Sequence, residues 1–164
     1  MENFQDLLAA NAEFVKSFSK SELTGMARKN LAIVTCMDSR IDPLKIVGMG
    51  AGDAKILRNA GARVTEDVLR TLVLATHLLG VQRILVMPHT DCRMASKEES
   101  ALHAEIKDAT GIDTRGIEFR TDTDQRKALF TDIQRIESYP LLPLDIAVMG
   151  AIYDVKTGRL DPIN

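Results

Sequence analysis

Residues 31–40, LAIVTCMDSR, decide the fold that this sequence predicts. The stretch begins with five apolar or β-branched residues, a pattern typical of a buried strand, and continues into a polar run. The same change recurs where residues 54–58 (AKILR) lead into NAGARV and where residues 83–88 (RILVMP) lead into His89. A last strand is predicted within 144–154. Because these strands are apolar along their length, they indicate a sheet that is covered on both faces.

Helical periodicity occupies the segments between the strands. Residues 65–79 predict a helix that Thr65 caps and that stops at Gly80, and further helices are predicted near 96–109 and at 123–137. The alternation predicts an α/β fold with a mainly parallel central β-sheet of about four to five strands flanked by helices. After the last strand, the sequence DVKTGRL predicts a turn that leads into a short tail.

The N-terminal part, residues 1–30, is predicted to form a helix and an arm. Residues 3–18 carry apolar side chains on roughly one helical face, namely Phe4, Leu7, Leu8, Val15 and Phe18. A helix set apart from the core in this way often packs on another subunit, although packing on its own domain is equally allowed. The length of 164 residues suits one domain, 1–164.

The composition excludes several classes of function. A formal net charge of −2 gives the chain no general attraction to nucleic acid or to an anionic membrane. No apolar run approaches the roughly 20 residues that span a bilayer, and the N-terminus lacks the features of a signal peptide. We therefore expect a cytoplasmic protein. Its two cysteines, Cys36 and Cys92, are then free thiols, catalytic groups or metal ligands.

Three residues at the predicted strand ends are candidate metal ligands. Cys36 follows the first strand, and His89 and Cys92 follow the third. Parallel topology can bring these strand ends together. Zinc binds thiolate and imidazole tetrahedrally, so three such ligands would leave one position for water. From spacing alone, the alternative stays open that both cysteines are buried thiols and His89 is an isolated loop histidine.

Asp38 and Arg40 lie beside the candidate ligand Cys36. Their side chains could pair, and the arginine would keep the aspartate ionised and oriented. Such a carboxylate can accept a hydrogen bond from water on a metal, or it can take the open position itself. The alternative is a surface ion pair of little consequence.

Together, the motifs CMDSR, RNAG and HTDC closely resemble the signature of the β-class carbonic anhydrases of the short bacterial type. Their order, intervals and strand-end placement match from about residue 30 to residue 154. The resemblance implies zinc-dependent, reversible hydration of carbon dioxide to bicarbonate by zinc-bound hydroxide. Two alternatives stay open: a COS or CS₂ hydrolase on the same scaffold, and a zinc-binding relative without catalysis.

The resemblance also assigns roles to single residues. It implies Zn²⁺ held by Cys36, His89 and Cys92, with Asp38 and Arg40 as a catalytic dyad that gates the fourth zinc position. The partners implied are CO₂ or bicarbonate and further copies of the chain in a homodimer or homotetramer. No nucleic-acid or membrane partner is expected, and the 3–18 helix would embrace the partner subunit.

Asn59, Ala60 and Gly61 are candidate substrate-pocket residues, although Asn59 and Gly61 equally suit a purely geometric role in their loop. Asp91 lies between two candidate ligands, where we expect it to fix the loop and not to take part directly in catalysis. His77 and His103 are expected to be a packing residue and a solvated one.

Arg93 departs from the family pattern, which usually has glycine after the HxxC motif. Glycine there permits unusual backbone angles and leaves space beside the metal. Our preferred hypothesis is that the Arg93 side chain points into solvent or pairs with a carboxylate. The alternative is that Arg93 intrudes on the site and modulates activity or anion binding.

Overall fold

The computed structural model describes residues 2–163. Within them, five strands form one sheet: β1 (Leu31–Cys36), β2 (Ala54–Asn59), β3 (Arg83–Met87), β4 (Ala147–Tyr153) and β5 (Leu160–Ile163). The strand order is β2-β1-β3-β4-β5, in which the first four strands are parallel and β5 is antiparallel to β4. The predicted α/β fold with a mainly parallel sheet is confirmed.

The helices of the described residues are α1 (Gln5–Lys16), α2 (Pro43–Ile46), α3 (Glu66–Leu78), α4 (Glu99–Thr110) and α5 (Gln125–Glu137). The Thr65 side chain accepts a hydrogen bond from the backbone N–H of Val68, as expected of the cap of α3. Gly111 ends α4 in the left-handed conformation. None of these helices combines the length and the apolar character that crossing a membrane requires.

The sheet is covered on both faces, and β1 shows this most clearly because all six of its residues are buried. Ala32 and Val34 belong to one apolar cluster with residues of α3 and α5. Leu31 and Ile33 belong to a second cluster on the opposite face, with Ile41. Side chains alternate across a strand, so a strand buried on both faces must be apolar throughout.

The prediction of a short C-terminal tail is wrong, because residues 160–163 form the edge strand β5. The turn before it is closed by two hydrogen bonds, from the N–H of Gly158 to the Asp154 carbonyl and from the N–H of Asp154 to the Arg159 carbonyl, each 2.8 Å long. β5 has four residues and contains Pro162, which removes one ladder donor. So short and interrupted a strand gives little sequence signal.

The N-terminal helix exists, but none of its described residues is buried. Its large apolar side chains, Leu7, Leu8, Phe14 and Val15, are more than half exposed, and so are Phe4 just before it and Phe18 just beyond its end. Packing on its own domain therefore does not cover this face. Packing on a partner subunit stays a prediction.

The strand order places a topological switch point between β1 and β3. The chain runs from β1 to β2 on one side and then to β3 on the other. Ligands of such sheets bind beyond the carboxyl ends of the strands at this point. Thr35 and Met87 are paired across the two strands, and the Thr35 hydroxyl donates to the Met87 carbonyl over 2.7 Å. The residues that follow each strand therefore meet at one edge.

Candidate metal centre

The three candidate ligands meet at this switch point. Cys36 is the last residue of β1, and His89 and Cys92 lie in the loop after β3. All three are buried, and their ligand atoms lie within 4.8 Å of one another. The two Sγ atoms are 4.0 Å apart, close to the roughly 3.8 Å between two thiolates bound tetrahedrally at about 2.3 Å from zinc.

The imidazole of His89 is oriented as a metal ligand would be. Its Nδ1 lies 2.8 Å from the Thr90 carbonyl, which is an acceptor, so Nδ1 carries the proton and Nε2 has a free lone pair. Nε2 is buried without a hydrogen-bond partner among the described residues. A buried acceptor without a partner is costly, and a metal ion would satisfy it. The donor set therefore fits zinc.

The ionisation of the two thiols also favours the binding of a cation. The Cys92 thiol lowers the pKa of Cys36 to about 4, and the Cys36 thiolate raises the pKa of Cys92 above its usual range. Burial lowers the pKa of His89, but the Cys36 thiolate raises it, and the net shift is upward. The thiol pair thus holds one proton that a divalent cation would displace.

Asp38 and Arg40 form a two-point ion pair beside this group. Arg40 Nε donates to Asp38 Oδ1 over 2.9 Å, and Nη2 donates to Asp38 Oδ2 over 2.7 Å. The Arg40 guanidinium holds the pKa of the Asp38 carboxyl well below its usual range, so Asp38 is ionised at neutral pH. Asp38 Oδ2 lies 3.7 Å from His89 Nε2, which places the carboxylate next to the candidate metal position.

Arg58 fixes the loop that carries this pair, a role that the sequence alone did not indicate. Its guanidinium donates to the carbonyls of Cys36, Asp38 and Ile41, over 2.9, 2.6 and 3.3 Å. Its place at the start of the RNAG motif was a signal, but its three carbonyl partners come from another strand end. Gln125, the first residue of α5, was also missed; its side-chain amide donates to the His89 carbonyl over 2.7 Å.

The candidate pocket residues divide between two places. Asn59 closes its own loop through hydrogen bonds with the backbone of Arg63. The N–H of Gly61 points to Cys36 Sγ over 3.4 Å, and Gly61 has a φ of 80°. Gly61 lines a cavity of about 20 Å³ beside Cys92 and Met94, whereas Asn59 and Ala60 line a separate, wider groove.

Two residues of the HTDCR segment point away from the ligand atoms. Asp91, with a φ of 57°, accepts a hydrogen bond from Arg40 Nη1 over 2.8 Å. Arg93 starts a short 3₁₀ turn without a positive φ, and its guanidinium pairs with Glu105 of α4. The Arg93 side chain is 60% exposed.

The two other histidines are bonded elsewhere. His77 Nε2 lies 2.9 Å from the Leu141 carbonyl, and His103 Nδ1 lies 2.9 Å from the Thr114 hydroxyl. The His103 side chain is only 14% exposed, so the expectation that it is solvated is wrong. It packs against Phe119, with 5.2 Å between the ring centroids.

Comparison with known proteins places the chain in a family. The carbonic anhydrase family model matches residues 31–160. Beta-carbonic anhydrase 1 of Mycobacterium tuberculosis is 37% identical over 161 residues, covering 96% of each chain. A crystal structure of carbonic anhydrase from Streptococcus mutans superposes with a TM-score of 0.93 at 38% identity, covering 100% of this chain and 99% of that one.

A more distant relative carries a different printed activity. A carbon disulfide hydrolase of Acidithiobacillus thiooxidans is 28% identical over 155 residues, covering 82% of this chain and 77% of the relative. Identity is higher, and coverage more complete, with the carbonic anhydrases named above. The family model, these relatives and the Cys/His/Cys group at the switch point agree, and the chain belongs to the β-carbonic anhydrase family.

Proposed function

We propose that this protein catalyses the reversible hydration of carbon dioxide to bicarbonate, with zinc held by Cys36, His89 and Cys92. The observation that carries the proposal is the position of an arginine-held carboxylate beside a buried group of three metal-binding side chains. A structural zinc site usually has four protein ligands, whereas three ligands are typical of catalytic sites.

When bound, zinc acts as a Lewis acid and lowers the pKa of water toward neutrality. The protein's own groups do the rest. Two thiolates and a neutral imidazole balance the charge of the cation, and the Thr90 carbonyl fixes the orientation of the imidazole. Asp38, kept ionised by Arg40, accepts a hydrogen bond from the attacking water and so orients it toward the substrate.

The substrate is small, which suits the size of the cavity beside Cys92. The cavity there has a volume of about 20 Å³, room for one small molecule, and Gly61, Met94 and Ala95 are among its lining residues. We place CO₂ at this side of the centre. Ala60 and Asn59 would then act by shaping the loop that carries Gly61.

Hydrolysis of CS₂ or COS is the second candidate, because carbon disulfide hydrolases are among the relatives. Zinc binding without catalysis is the third, and the Asp38–Arg40 pair argues against it, since a structural site needs no oriented carboxylate. We propose that the protein works as a homodimer or homotetramer, since α1 has an apolar face that its own chain leaves exposed.

Zinc content and stopped-flow CO₂ hydration from about pH 6.5 to pH 9 test the proposal. We expect about one zinc per chain and turnover of CO₂, with COS and CS₂ assayed in parallel. Full zinc occupancy without CO₂ turnover at any pH would exclude the first candidate. Turnover of CS₂ in its place would establish the second.

The ligand set is tested by Cys92→Ser. We expect loss of zinc and of activity together, because serine offers no thiolate and three ligands become two. Circular dichroism would verify that the variant is folded. A folded variant that retains both zinc and turnover would remove Cys92 from the ligand set.

A further inference from the structure

We propose that Asp91 is a positioning residue of the Asp38–Arg40 pair: from the loop between His89 and Cys92 it holds the Arg40 guanidinium, and through Arg40 it holds Asp38. The inference rests on the proposed function and adds a third residue, Asp91, to the Asp38–Arg40 pair. Asp91 does not itself touch the substrate or the ligand atoms.

The hydrogen bonds of Arg40 carry the inference. Its guanidinium has five N–H groups. Two donate to Asp38, one donates to the Asp91 carboxylate over 2.8 Å, and one donates to the Asp91 carbonyl over 3.2 Å. Arg40 is therefore clamped between two loops. One loop follows β1 and the other follows β3, so the clamp joins the two strand ends that supply the ligands.

The backbone of Asp91 supports the same conclusion. Its φ of 57° lies in the left-handed region, which is uncommon for residues other than glycine and which aspartate tolerates better than most. This conformation directs both the carbonyl and the carboxylate of one residue to a single guanidinium. Unfavourable backbone angles persist where the surroundings over-determine them, often at functional sites.

The ion pair between Asp91 and Arg40 is exposed, so a positioning role can be distinguished from a stabilising one. The Asp91 side chain is 68% exposed and that of Arg40 is 44% exposed. Exposed ion pairs contribute little to folding, so loss of the Asp91 charge should hardly change stability. Its effect should fall on Asp38, whose Oδ2 lies 3.7 Å from His89 Nε2. Without the Asp91 carboxylate, Asp38 is the one anionic partner left to Arg40 among the described residues, and the two side chains can move together.

Asp91→Asn is the variant that tests the inference. Asparagine also tolerates a left-handed φ, so the substitution removes the charge and preserves the backbone. The matched control is Asp113→Asn. It breaks a different exposed aspartate–arginine ion pair, between Asp113 and Arg115, which are 2.6 Å apart. Both are measured as zinc-loaded enzyme and as cobalt-loaded protein, whose visible spectrum reports the kind and number of ligands around the metal.

For Asp91→Asn, we expect kcat to fall about threefold to tenfold with KM for CO₂ unchanged. Its cobalt spectrum should differ from that of the parent, while metal content and melting temperature stay the same. Asp113→Asn should change none of these. In an Asp38→Asn background, adding Asp91→Asn should leave the spectrum as it is, because Asp91 acts through Asp38.

Unchanged kcat and an unchanged spectrum in Asp91→Asn would overturn the inference. So would a loss of zinc or of melting temperature in proportion to the loss of activity, because that would indicate a purely structural role. If the zinc-loaded parent enzyme does not hydrate CO₂, the proposed function fails. The cobalt spectra would still decide whether Asp91 positions Asp38.

Discussion

Arg93 occupies the position that follows Cys92, where the family motif usually continues with glycine. The structure gives its side chain a partner, Glu105, on the exposed side of α4, and Lys97 shares that carboxylate. Neither the backbone strain nor the crowding that this substitution suggested is found, because the residue lies in a 3₁₀ turn without a positive φ. The side chain is held away from the ligand atoms by an exposed ion pair.

We therefore expect Arg93→Gly to leave turnover, zinc content and inhibitory anion affinity unchanged. Stability should fall by about 1 kcal/mol, from the entropy of glycine and the loss of one exposed ion pair. Stopped-flow assays and thermal melts measure these quantities. Glu105→Gln removes this pair, and the Lys97 pair with it, and should also leave turnover, zinc content and anion affinity unchanged. A change in anion affinity for Arg93→Gly alone would show that Arg93 reaches the site.

Gly61 is constrained both by its backbone conformation and by the side chain of Met94. A Cβ atom there would lie 2.9 Å from Met94 Cβ, and φ is +80°. Gly158 has a similar φ of +76° but open space around it, so it is a matched control.

Both Gly61→Ala and Gly158→Ala should lose about 1–2 kcal/mol of unfolding free energy, because alanine disfavours positive φ. Gly61→Ala should lose about 1–3 kcal/mol more through the clash with Met94, and should also bind zinc less tightly, since its N–H points to Cys36 Sγ. Denaturant melts and zinc titrations measure both. Equal destabilisation of the two variants would show that Met94 can move aside without loss of unfolding free energy.

At the scale of elements, the end of β1 and the loop after β3 carry the three candidate ligands, and the loop after β1 carries the Asp38–Arg40 pair beside them. Arg58, at the penultimate position of β2, links a third strand to the site, because its guanidinium donates to one carbonyl at the end of β1 and to two in the loop after it. The site is thus built on the rigid sheet, and only α1 among the longer helices of the described residues has no buried side chain.

We expect the oligomer to depend on the apolar face of α1, because its own chain leaves that face exposed. We expect Leu7→Gln combined with Leu8→Gln to shift the oligomer toward monomer, because each leucine is more than half exposed and would lose about 1.5–3 kcal/mol of burial at an interface. Sedimentation velocity measures the shift. Leu144→Gln, at a fully exposed leucine outside α1, is the control. An unchanged assembly would show that α1 does not hold the partner.

At the scale of the whole molecule, several carboxylates have lowered pKa values because arginine, lysine or backbone N–H groups donate to them. They are Asp38, Asp42, Asp53, Asp91, Glu105, Asp113 and Asp154. Arg115 lowers the pKa of Asp113 to about 2. Below the ordinary aspartate pKa of about 3.9, the unfolded chain therefore binds more protons than the folded chain.

Because the unfolded chain binds more protons than the folded chain in acid, we expect the protein to lose stability at low pH. The stabilisation from these groups is complete above about pH 4 to 5 and is lost as the pH falls through the folded-state pKa values. Melting temperatures of the zinc-free protein should therefore fall as the pH is lowered below about pH 4. A melting temperature that rises between about pH 5 and pH 3 would contradict the assignment of charges.

The sequence was enough to predict where the strands end and which residues could bind a metal, but it did not predict every contact. Continuous apolar runs identified β1 and β3, and the CMDSR, RNAG and HTDC motifs pointed to the metal-binding group. The strand β5 and the roles of Arg58 and Gln125 were missed. The first is short and interrupted by Pro162, and the other two depend on carbonyl groups far away in the chain.

By itself, the sequence determined the fold class and the family, because burial on both faces requires apolar strands and metal chemistry requires particular side chains at fixed intervals. Only the tertiary structure decided which carboxylates share Arg40, where Arg93 finds its partner, and that α1 is left uncovered. Those contacts join residues from separate loops and helices, and their geometry depends on how the sheet brings its strand ends together. No local pattern of residues records it.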